Sequence, residues 1–208
     1  MACSFSLPDR RLTREERRAN QRGRILRAAI QCFGMDGVVR TTVEDIARQA
    51  SVSRVTFYEF FDNRDDCFVV SYQTAIESIA RSVAEAIVSH PDDDVVSTCV
   101  ATYLDRLVSD PAVARLIHVE SAANIPGLPN ERARVRATFA EFIRAGWATV
   151  DPIRAAAPEA EMISIGLTGT FNEVMMHVLE TGKLPEAPRY VDALVELLYR
   201  VFEPDEVI

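Results

Sequence analysis

Residues 41–61, TTVEDIARQASVSRVTFYEFF, decide how this chain folds. Thr42 stands ahead of an apolar face formed by Val43, Ile46 and Ala47, with Asp45 three residues on in a capping-box position. Ala50-Ser51-Val52 makes a turn, and Ser53 is placed to cap a further helix. At 100° per residue, Phe57, Phe60 and Phe61 gather on one side of that helix, with Arg54, Val55, Tyr58 and Glu59 opposite. The three aromatics must pack inward, which leaves a valine exposed between an arginine and a tyrosine. A DNA major groove gives such a face a use: Arg reads guanine edges, an apolar side chain meets a thymine methyl, and a Tyr hydroxyl binds phosphate. Two short helices joined by a tight turn present a helix to the groove in this way. The rival reading is an ordinary amphipathic helix in a bundle.

Charge separates this end from the rest. The chain of 208 residues has a formal charge of −8, which taken alone argues against a nucleic-acid binder. Residues 1–70 carry 12 Arg against 10 Asp and Glu, whereas 71–208 carry 11 Lys and Arg against 21 acids. Eight arginines fall within residues 10–27, Arg22 among them, opposed only by Glu15 and Glu16. An acidic body with a basic end meets polyanions through that end. We therefore divide the chain into a flexible basic arm (1–16), a helix-turn-helix unit (17–63) and a helical body (64–208).

The body reads as helix throughout, giving an all-α fold class. Helices are predicted over about 14–34, 64–89, 95–108, 111–122, 131–150, 159–180 and 188–202, with the Pro- and Gly-containing segment 124–129 as a loop. The 159–180 helix is apolar nearly all round, and Gly166 and Gly169 would let another backbone come close. With the last helix it has the makings of a four-helix interface between two copies, carried by Met162, Ile165, Gly166, Gly169, Leu194 and Leu198. The alternative is that one chain's core absorbs these residues.

Polar and aromatic groups on otherwise apolar helices mark a candidate small-molecule site: Tyr103, His118, Phe139, Trp147, Phe171, Asn172, Met175 and His177. The same residues describe a packed core with its polar atoms satisfied. An apolar lining favours a hydrophobic or amphipathic effector. Cys3, Cys32, Cys67 and Cys99 form no CxxC pair, and His90, His118 and His177 show no ligand spacing, so neither metal nor cofactor is expected. No nucleophile–base arrangement or phosphate-binding glycine loop suggests an enzyme. No segment reaches the roughly 18 apolar residues of a membrane span, and a cytoplasmic protein is expected.

Residues 41–68 resemble the tetracycline-repressor (TetR-type) family of bacterial transcription regulators. TTVEDIA matches the first half of the family signature, SVSRVTFYEFF its turn and recognition helix, DNRDDCF the opening of its fourth helix, and RGRILRAAIQCFGMDG its first helix. The resemblance implies a homodimer that binds a palindromic operator and releases it when a small ligand enters the body. It further implies that Arg54, Val55, Thr56 and Tyr58 face bases or phosphates, and that Thr42 and Ser53 cap helices and touch the DNA backbone. Arg64 stands where the family has a phosphate-binding Lys, and Glu44 faces DNA, able to accept from a cytosine amino group. Ser51 replaces a common glycine at the turn. Glu59 and Phe60 replace residues that often bind phosphate, shifting weight to Arg10–Arg22. An activator, a ligand-independent DNA binder and an interaction protein without DNA binding are the competing functions.

Overall fold

The computed structural model describes residues 13–202, which form helices and turns with no strand among them. Of the basic arm expected over 1–16, residues 1–12, Cys3 among them, lie outside the described residues, while Thr13 caps α1 and residues 14–16 form its first turn. Helix α1 (Arg14–Asp36) starts from a Thr13 capping box closed by Glu16. Then come α2 (Val43–Ala50), α3 (Arg54–Tyr58) and the long α4 (Arg64–Ser89), whose first turn is capped by Asn63. The body continues with α5 (Val95–Ser109), α6 (Pro111–His118), α7 (Leu128–Val150), α8 (Pro152–Ala155), α9 (Glu159–Glu180) and α10 (Val191–Phe202). The chain is thus all-α, with an N-terminal helix-turn-helix and a C-terminal helical body.

Three predicted boundaries move. Helix α6 stops at His118, and residues 120–122 form a single 3₁₀ turn. Helix α7 begins at Leu128, earlier than predicted, because Pro129 sits in its first turn, where the missing N–H has no intrahelical partner to lose. The segment before it is anchored, since Ile125 and Leu128 are both buried. Near the C-terminus, residues 184–190 form a 3₁₀ stretch containing Pro188, and the α-helix starts only at Val191.

Helices α1 to α3 are seated on the body chiefly through α6. Gly34 of α1 lies against the backbone of Ala112; a Cβ at Gly34 would fall 2.1 Å from the Ala112 carbonyl oxygen. Polar bonds ring that contact. Gln31 Nε2 donates to Asp110 Oδ1 (3.2 Å), Arg115 Nε to the Gly34 carbonyl (2.9 Å), and the Val38 N–H to Glu120 Oε2 (2.8 Å). One apolar core runs through both halves, from Phe33 stacked edge-on against Phe68 to Leu104, Leu116 and Trp147.

Candidate nucleic-acid interface

Helix α2 is defined at both ends by its own sequence. Thr42 Oγ1 accepts from the Asp45 N–H, and Asp45 Oδ2 accepts from the Thr42 N–H, the reciprocal pattern of a capping box. The Thr42 hydroxyl also donates to Asp45 Oδ2 (2.6 Å), and this bond first, with the backbone bond after it, holds the Asp45 carboxyl below the usual carboxylate range. The helix ends at Ser51, which has φ 52 and ψ 49, the left-handed conformation that a glycine adopts most cheaply. Arg24 of α1 reaches over this end and donates to the carbonyls of Ala50 and Ser51 at 2.5 and 2.9 Å. The turn geometry is therefore held from outside as well as within.

Helix α3 sorts its side chains as its period requires. Phe57 and Phe61 are buried, 5.4 Å apart, and Ser53 Oγ accepts from the Thr56 N–H at 3.0 Å. Val55 is 72% exposed and Tyr58 48%, so an apolar and an aromatic side chain face solvent on one short helix. Arg54 lies beside them, ion-paired with Glu44 of α2 at 2.5 Å. A Tyr58 hydrogen bond, then the Glu44 charge, favour the Arg54 cation. Thr42, Glu44, Ser53, Arg54, Val55 and Tyr58 are all exposed and Thr56 half-buried, so the structure gathers these residues around one turn.

Two further arginines among the predicted contacts, Arg64 and Arg22, also meet groups within the protein. Arg64 donates through Nη1 to the carbonyls of Val38 (3.1 Å) and Thr41 (3.4 Å), and pairs with Asp65. Its guanidinium joins the head of α4 to the α1–α2 loop, where the resemblance implied a phosphate contact. Arg22 lies with its guanidinium 5.8 Å from the Phe61 ring, yet the residue stays exposed. Arg18 lies over Phe60 at 4.8 Å and donates to the Glu59 carbonyl. Phe60 thus serves as a platform for an arginine.

In the body, four of the eight predicted pocket residues meet. The Tyr103 hydroxyl lies 2.7 Å from His118 Nε2, and His118 Nδ1 lies 3.0 Å from Asn172 Oδ1. The Asn172 carbonyl can only accept, so Nδ1 carries the proton and Nε2 accepts from Tyr103. Burial pushes the His118 pKa down to about 4 and raises that of Tyr103. Phe139 packs edge-on against Tyr103. Phe171 is half-buried and Met175 fully buried on α9. Trp147 is buried elsewhere, with Arg154 of α8 over its ring, and His177 is exposed.

The interface residues divide as well. Met162 and Ile165 are 70% and 40% exposed, and nothing lies within 4 Å of a Cβ placed at Gly166 or Gly169. Leu194 and Leu198 instead point into this chain's own core and have little surface to offer a second copy. Among the described residues no group of three or more His, Cys, Asp or Glu could hold a metal ion, and no helix is long and apolar enough to cross a membrane.

Residues 25–70 match the family model described as "Bacterial regulatory proteins, tetR family". An uncharacterized HTH-type transcriptional regulator of Mycobacterium tuberculosis is 32% identical over 105 residues, 50% of this chain and 54% of its own. The chain thus spans about half the length of the curated relatives it matches. Among solved structures, the fatty acid degradation regulator FadR of Bacillus halodurans has a TM-score of 0.72 at 18% identity, covering 86% of this chain and 94% of that one. FadR of Bacillus subtilis, solved in complex with stearoyl-CoA, has a TM-score of 0.72 at 15% identity, covering 85% and 96%. Both share the fold over helix-turn-helix and body alike. Through residues 25–70, its reading segment, the chain is thus similar to the tetR family of bacterial regulatory proteins.

Proposed function

We propose that this chain is a cytoplasmic, ligand-responsive transcriptional regulator, a repressor that binds a palindromic DNA operator as a homodimer. The observation that carries the reading is the outward face of α3, where Val55 and Tyr58 stay exposed beside Arg54 at the end of a doubly capped turn. Arg18, Arg22 and the arm before them supply phosphate attraction of no sequence preference. Two copies pair through the open α9 face around Met162, Ile165, Gly166 and Gly169. The effector is a hydrophobic or amphipathic molecule that enters beside Tyr103, His118, Phe139 and Asn172. The stearoyl-CoA held by the Bacillus subtilis regulator supports a long-chain acyl compound as the first to try.

Operator binding needs the two recognition helices roughly 34–36 Å apart. Helix α4 is continuous with the reader and locked to it by Arg64, so a tilt of α4 resets that distance. A ligand weakens binding only by its differential affinity for the two spacings. The test is a mobility shift with the DNA upstream of the chain's own gene. Wild type should bind with a steep salt dependence, Arg54→Ala/Tyr58→Ala should fail, and stearoyl-CoA should release the DNA. Equal binding by the double variant rejects the recognition-helix assignment, while binding indifferent to stearoyl-CoA rejects only the effector class.

A further inference from the structure

We infer that Glu44 and Arg54 act together as one base-reading unit, specific for a guanine and a cytosine side by side in the groove, and closed on itself when the site is wrong. The inference rests on the DNA-binding reading above and adds its specificity.

A carboxylate on a surface that meets DNA is a liability. Glu44 sits in the first turn of α2, where an acid favours the helix dipole, but Asp45 already fills that role through the capping box. Glu44 bonds instead across the turn to Arg54, Oε1 to Nη1 at 2.5 Å, with both side chains more than half exposed. An ion pair this open contributes little to stability, so opening it costs little. Its effect is on the charge shown to DNA. While the pair is closed, Arg54 offers no net charge to a phosphate and Glu44 repels none.

Opening is favourable only where both ends find partners. Arg54 suits the O6 and N7 acceptors of guanine, and Glu44 suits the N4 amino group of cytosine. Because the two charged ends begin one hydrogen bond apart, the edges they take must be neighbours, within one G·C pair or one base step. A neighbouring edge with no amino group, such as thymine O4, leaves Glu44 among phosphates with no donor, and the pair stays shut.

The experiment is selection from a randomised duplex pool with full-length wild type, Glu44→Gln and Glu44→Ala. Affinity for the selected site and for a random duplex follows at two salt concentrations, with helicity measured for each variant. Wild type should select a half-site with adjoining guanine and cytosine. Both Glu44 variants should keep the guanine and lose roughly tenfold or more of the cytosine preference. They should also bind random duplex several-fold tighter. Variants that select the wild-type site, cytosine included, and bind random DNA unchanged overturn the inference. So does a wild-type half-site without guanine and cytosine together, although the DNA-binding reading then survives. A wild type that selects no sequence rejects that reading and the inference with it.

Discussion

Gly34 and Ala112 meet backbone to backbone, so closely that no side chain fits between α1 and α6 at that point. Helix propensity alone favours alanine over glycine inside α1 by about 1 kcal/mol. The steric conflict is larger, because the atom in the way is a carbonyl oxygen that cannot rotate aside. Gly34→Ala should lower stability by about 1–3 kcal/mol in urea unfolding. Gly166→Ala, built into open space, should raise the stability of the isolated chain by up to about 1 kcal/mol.

His118 makes stability depend on pH. Its folded pKa of about 4 lies below the ordinary 6.5 because burial disfavours the imidazolium. The unfolded chain therefore takes up a proton first as pH falls. The contribution of neutral His118 is complete above pH 6.5 and is lost between 6.5 and 4. That difference is on the order of 3 kcal/mol. Wild type should lose that much more stability than His118→Gln between pH 7 and pH 4, measured by denaturant titration at each pH.

Ser51 holds φ 52, alone among the described non-glycine residues in having a positive φ. Ser51→Gly should raise the unfolding free energy by about 0.5–1 kcal/mol, and Ser51→Val, with its branched Cβ, should lower it by at least as much. A melting temperature that falls for the glycine variant contradicts this account.

The α9 stripe and the α10 core separate two kinds of damage. Met162→Glu/Ile165→Glu places charge on exposed positions, so helicity should persist while sedimentation shifts from dimer to monomer. Leu194→Ala empties a buried position and should cost about 2–5 kcal/mol of stability without a specific effect on association.

Local chemistry made most of the fold legible. Thr42 with Asp45, and Ser53, cap the helices that follow them as their places predict, and a cap is written within four residues. The inward set of α3 followed from its period. Pro129 misled because a proline that breaks a helix and one that begins it look alike until Leu128 is known to be buried. Contacts across the chain were not legible. Tyr103 and His118 could be flagged as unusual, but nothing in their spacing pairs them, and still less with Asn172, 54 residues beyond His118. Leu194 shares its helical pattern with a surface stripe, and only the packing of α10 on α5 says which way it points. The Glu44–Arg54 pair crosses a turn whose geometry a sequence does not carry.

The Arg64 bonds bear on how regulators of this build can be recombined. A graft of a foreign reader at residue 63 looks natural, since a helix starts at the next position. It would strand a guanidinium whose acceptors, the carbonyls of Val38 and Thr41, belong to the discarded segment. The replacement would also have to supply a glycine opposite Ala112 and an amide for Glu120. Functional hybrids should therefore come from donors that keep the loop between the first two helices, or from exchanges that carry α6 with the reader.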